Sequence, residues 1–169
     1  MMHLKWFALS AIVIAFSGCE DEATAPSDQT FTATMNGANE RPNPVTTPGV
    51  GTANFTLSAD GNTLTWNVSM TGTINVTAAH IHVGGAQIAG PIILGLFAGP
   101  TANNPTITGS VTRAAFASPL GVTFDGLIAL MRSGDTYTNV HTDNGVAPTN
   151  TGPGDFPGGE IRGQNIRVQ

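Results

Sequence analysis

Ala79-His80-Ile81-His82-Val83-Gly84-Gly85 is the stretch whose reading decides the fold. Its polar and apolar residues alternate, and it stops at a glycine pair. Side chains two apart on a β-strand point to the same face. As a strand, the stretch sets His80 beside His82 and turns Ala79, Ile81 and Val83 the other way. A second segment, Tyr137-Thr138-Asn139-Val140-His141-Thr142, also alternates and carries the third histidine beyond residue 19.

The surrounding chain reads the same way. Thr30 to Met35 alternates Phe31, Ala33 and Met35 against threonines. Gly51 to Leu57 and Thr63 to Met70 form a predicted hairpin around Asp60-Gly61-Asn62, because glycine accepts the positive φ of a tight turn. Leu64, Trp66, Val68 and Met70 share one face, which makes Trp66 a core residue. The histidine strand is expected over Thr73 to Val83. Pro91 to Phe97 is a continuous apolar run, as in a strand buried on both faces. Thr106 to Thr112 alternates again. Between Thr123 and Gly134 the period changes: Phe124, Leu127, Ile128 and Met131 fall at helical spacing, with Thr123 as N-cap and Gly134 as C-cap. A Pro- and Gly-rich loop over Val146 to Gly159 precedes the last strand, which Gly158 to Gln164 leads and which ends at Ile166 to Val168. Many short strands separated by turns, with one helix, predict an all-β fold: an antiparallel Greek-key sandwich or barrel carrying one short helix.

Three segments are expected. Residues 1–19 read as a lipoprotein signal peptide: Lys5, an apolar run from Trp6 to Phe16, then Phe16-Ser17-Gly18-Cys19, which resembles a bacterial lipobox. Cys19 is then the lipidation site and the membrane contact. It is the only cysteine, so no intrachain disulfide is available. Residues 20–29 (EDEATAPSDQ) read as a flexible acidic tether, and 30–169 as one domain. Beyond residue 19 the chain has five arginines, no lysine and eleven acidic residues, a balance that disfavours nucleic acid.

The chemistry on offer is one constellation. His80, His82 and His141 are candidate metal ligands, since neutral imidazole suits copper and zinc. Glu160 is the candidate fourth ligand, with Asp143 behind it; alternatively Glu160 pairs with Arg162 along the last strand. The same histidines could instead form a hydrogen-bonded cluster that ties strands together without metal. No serine-centred nucleophile signature and no phosphate-cradling glycine loop is present.

Five pieces, taken together and in order, resemble the CHRD domain, the module named after chordin. They are Ala79-His80-Ile81-His82 with its Gly-Gly turn, Gly90 to Phe97, the helix Leu127 to Gly134, Tyr137 to Thr142, and Gly158-Gly159-Glu160-Ile161-Arg162-Gly163-Gln164. The resemblance implies an extracytoplasmic β-domain of immunoglobulin-like or Cu/Zn superoxide dismutase-like topology. It does not extend to dismutase activity, because no bridging histidine, second histidine cluster or disulfide accompanies the pair. The expected function is a lipid-anchored, non-catalytic binding or structural role at the bacterial cell envelope, periplasmic or on the cell surface, with a protein or small-molecule partner. The alternative is a copper-binding, or less favoured zinc-binding, protein using the three histidines, with redox chemistry at that metal as a further variant.

Overall fold

The computed structural model describes residues 28–168. The signal segment, Cys19 and most of the acidic tether lie outside the described residues. Nine strands and one α-helix make up the described part: β1 Gln29–Asn36, β2 Val50–Leu57, β3 Thr63–Thr71, β4 Val76–Val83, β5 Ile92–Ala102, β6 Thr106–Thr112, α1 Phe124–Ser133, β7 Thr136–Thr142, β8 Ile161–Gln164 and β9 Ile166–Arg167. Every pairing is antiparallel, in the order β5-β4-β7-β8-β1-β2-β3-β6, with β9 alongside β1. The sheet curls until it is nearly closed into a barrel, as the sequence pattern predicts for an all-β chain with one helix.

Period-two patterning fixes which side of the sheet faces inward. Phe31, Ala33 and Met35 of β1, Ala53, Phe55 and Leu57 of β2, and Leu64 and Val68 of β3 are all essentially inaccessible. Ala79 and Ile81 of β4 and Val140 of β7 join the same core. Trp66 packs against this core while remaining partly accessible. The β2–β3 hairpin turns at Asp60-Gly61-Asn62, where the Asp60 carboxylate accepts from Ser58 and from the Asn62 backbone. The helix is bounded as its caps dictate. Thr123 Oγ1 accepts from Gly126 N at 3.1 Å, and Gly134 takes the left-handed conformation that ends the last turn. Phe124, Leu127, Ile128 and Met131 are its buried face.

Two elements depart from the sequence expectation. The histidine strand begins at Val76 rather than Thr73, because Gly72 and Asn75 adopt positive φ and break the extended run. The apolar run Pro91 to Phe97 is not buried on both faces. It belongs to β5, which ends the sheet and pairs with β4 alone, so Ile93, Leu94 and Leu96 are buried while Gly95 and residues 98–101 are exposed. Register shifts in the β4–β5 pairing let the consecutive Ile93 and Leu94 both turn inward.

Where β8 meets β1, the backbones come too close for any side chain on Gly163: a Cβ there would stand 2.5 Å from the Thr34 carbonyl oxygen. Gly163→Ala therefore forces β1 and β8 apart. The expected cost is about 1–3 kcal/mol of stability, seen as a lower urea midpoint at unchanged slope.

Candidate metal centre

The β4–β7 register builds the site. Ala78 stands opposite His141, His80 opposite Asn139 and His82 opposite Tyr137. His80, His82 and His141 thus share the outer face, while Ala79, Ile81 and Val140 between them fill the core. His80 and His141 are diagonal neighbours across the two strands, within reach of long side chains. Their ring centroids are 4.8 Å apart, and His82 lies 5.7 Å from each of them. One ligand nitrogen from each ring lies within 4.8 Å of the other two. The three histidines expected from sequence to share a site are brought together.

Their protonation follows from their partners. His82 Nδ1 lies 2.9 Å from the Gly90 carbonyl oxygen, and His141 Nδ1 lies 3.0 Å from that of Pro157. A carbonyl only accepts, so each Nδ1 carries the proton and each Nε2 keeps its lone pair. Both of those Nε2 atoms, and Nδ1 of His80, are buried without a hydrogen-bond partner among the described residues. Burial depresses all three imidazoles. His80 is brought down to about 4, with the neighbouring His141 and His82 adding to the effect. His82 is lowered by burial against the opposing pull of the Gly90 carbonyl, and His141 by burial against that of Pro157. At neutral pH the cluster is three uncharged rings with lone pairs to offer.

Such an arrangement can hold a transition metal. Metal–nitrogen bonds of about 2.0–2.1 Å place ligand atoms roughly 3.3–3.6 Å apart, so small ring rotations of about 1 Å complete the geometry. Ligating histidines commonly donate their other ring N–H to a carbonyl or carboxylate, which fixes tautomer and orientation. His82 and His141 already have that support.

Backbone loops supply the two carbonyls. Gly90 closes the loop after β4 so tightly that a Cβ would lie 1.6 Å from the Val83 carbonyl oxygen. Its N–H donates to the Tyr137 hydroxyl at 2.9 Å, and the same hydroxyl donates to its carbonyl at 3.2 Å. Tyr137 also stacks on His82, with centroids 5.0 Å apart and 15° between the planes. The Arg162 guanidinium covers Tyr137, its carbon 3.4 Å from the ring centre. Arg162 donates onward to the Gly85 carbonyl at 2.9 Å.

Glu160, the expected fourth ligand, stands outside the cluster of ligand atoms. It precedes β8, and its carboxylate accepts from Thr47 Oγ1, from Thr142 Oγ1 at 2.6 Å and from Gly154 N at 2.9 Å. It forms no ion pair with Arg162 either. Fully buried, it pins the loop that carries the Pro157 carbonyl, a positioning role for His141. Asp143 is likewise a turn residue, accepting from Gly145 N. A different carboxyl, Glu40, lies behind the site. Asn139 Nδ2 donates to it at 3.4 Å, and burial pushes it up to about 7 against the lowering influence of Arg162.

Sequence reasoning assigns no site role to Gly90, Pro157 or Tyr137, and names Arg162 only as a possible partner of Glu160. Tyr137 was within reach, since it alternates with Asn139 and His141 on one strand face. The two carbonyls leave no mark in side-chain identity.

The family model of the CHRD domain matches residues 31–165. No curated protein matches the chain.

The lowered histidines give stability a pH dependence. Between the unfolded value of about 6.5 and the folded value of about 4 for His80, the unfolded chain binds more protons, so stability falls as pH drops through that window. His82 and His141 act in the same sense. Glu40, raised in the fold, opposes them with a single proton. The metal-free protein is expected to melt lower at pH 5 than at pH 7, and His80→Gln should flatten that dependence in thermal scans.

Proposed function

The chain belongs to the CHRD-domain family, and from that membership and the trihistidine cluster we propose that it is an extracytoplasmic binding domain whose ligand is a transition-metal ion. His80, His82 and His141 are the ligands, with copper ahead of zinc. One observation carries the reading: a ring nitrogen from each of the three histidines lies within 4.8 Å of the other two, in a cluster where each ring has a buried nitrogen without a hydrogen-bond partner. A purely structural cluster would hydrogen-bond those nitrogens, because an unsatisfied buried acceptor costs about 1–3 kcal/mol. The nitrogen donor set and the order of divalent affinities put copper first.

We further propose that the domain is held at the bacterial envelope by lipid on Cys19. The support is the lipobox-like Phe16-Ser17-Gly18-Cys19 and the acidic stretch that follows it. The acidic balance of the chain leaves the lipid, rather than a basic patch, as the membrane contact.

The test uses full-length protein with Cys19→Ser, titrated with copper and with zinc. One equivalent of tightly bound metal should raise the melting temperature, since a ligand at a hundred times its Kd adds about 2.7 kcal/mol. His80→Ala and His141→Ala should abolish both binding and the shift. Absence of binding in the unaltered cluster would end the metal reading. The gain should be larger at pH 7 than at pH 5, because protons compete for the same nitrogens. In cells, Cys19→Ser should move the protein from the membrane to the soluble fraction, read by fractionation.

A further inference from the structure

Three features of the site bear on the charge of the ion it would hold. The ligand set carries no formal charge. It consists of three imidazoles, and the buried carboxylate nearest in sequence to β8, Glu160, is fully engaged by Thr47, Thr142 and Gly154. The fixed charge beside the site is positive. Arg162 lies over one side of Tyr137 while His82 stacks against the same ring, and Arg162 makes no ion pair among the described residues. The carboxyl that could neutralise it, Glu40, is itself pushed towards the protonated form by burial. Finally, each ring has one nitrogen buried without a hydrogen-bond partner, although His80 and His141 are only half-buried as residues.

We propose that the trihistidine centre is a three-coordinate site for monovalent copper, and that Arg162 sets its preference over divalent ions. This rests on the metal reading above. A divalent ion with three neutral ligands brings two charges into a partly buried site with a guanidinium beyond Tyr137; Cu(I) brings one. Zn(II) and Cu(II) also complete their shells with four or more ligands, whereas Cu(I), with its single charge, accepts three. Burial raises the cost of each additional charge. The stack also explains why an arginine rather than a lysine suits position 162. The planar guanidinium covers the Tyr137 face and reaches the Gly85 carbonyl at once, so its charge is held at a fixed distance from His82.

The experiment takes the full-length Cys19→Ser protein without oxygen and measures Cu(I) affinity by competition with a chromophoric Cu(I) chelator. Cu(II) and Zn(II) are measured by competition with amino-acid chelators, and the reduction potential of the bound copper is read directly. The expected result is one Cu(I) per chain, bound more tightly than Zn(II), with a potential above that of the aqueous copper couple. Arg162→Met should narrow the preference for Cu(I) over Cu(II) by roughly thirtyfold, the effect of one unit charge at about 8 Å and an effective dielectric of about 20. Arg162→Lys should keep most of it. Should Arg162→Met fail to fold, the unaltered protein's Cu(I)-to-Zn(II) ratio and potential decide alone. Zn(II) or Cu(II) bound as tightly as Cu(I) would overturn this inference and leave the metal reading standing. Failure of all three ions to bind would overturn both.

Discussion

The pairing of β4 with β7 is the constraint on which the site depends. Ala79, Ile81 and Val140 are completely buried, and they lock the register by burying apolar surface on one side. A slip of one residue would turn Ile81 outward and drive His80 and His82 into the core. Burying a side chain of that size contributes about 1.5–3 kcal/mol, so the correct register is favoured several times over along the strand. The histidines do not hold the strands together. They are carried to one another by apolar neighbours that alternate with them.

A second layer turns proximity into a defined donor set. Two carbonyls, from Gly90 and Pro157, fix the tautomers of His82 and His141. Each carbonyl is itself anchored by a buried polar group. Tyr137 bonds both backbone groups of Gly90, and Glu160 clamps the segment around Gly154 and Thr142 from which Pro157 emerges. Buried polar groups are costly unless satisfied, and here Tyr137 and Glu160 are satisfied by the backbone segments that orient imidazoles. The charged side chains Glu160 and Arg162 are both nearly inaccessible, yet neither neutralises the other.

The β-strands and the helix were legible because alternation and capping are written in residue type. Thr123, Gly134 and the Phe124-Leu127-Ile128-Met131 spacing bound α1 despite the weakening Gly126, and His80, His82 and His141 stood out through strand periodicity. What escaped depends on backbone conformation or on distant pairing. The positive φ of Asn75 shortened β4, and the end position of β5 exposed half of an apolar-looking strand. Glu160 shows the limit most clearly. Extended alternation through Gln164 places it on the face of Arg162, but β8 begins only at Ile161, and the bend before it sends the carboxylate to Thr47 and Thr142. Thr47 is 113 residues away in sequence, and no local pattern announces such a partner.

The metal-free cluster is an inconsistency that the fold tolerates. Three imidazoles are partly desolvated side by side, each with a buried nitrogen lacking a partner, and hydrogen bonds to two carbonyls hold His82 and His141 so rather than letting them turn towards donors. Sites that break a local rule while the rest of a protein obeys it are where function is concentrated. The same rigidity has a thermodynamic use. Because the carbonyls orient the His82 and His141 rings before any ligand arrives, a bound ion has little side-chain freedom left to remove there, and more of its bond energy appears as affinity. His80 differs: its Nδ1 has no carbonyl partner. It is therefore the ring best able to move, closing the remaining gap to the other two while they stay fixed.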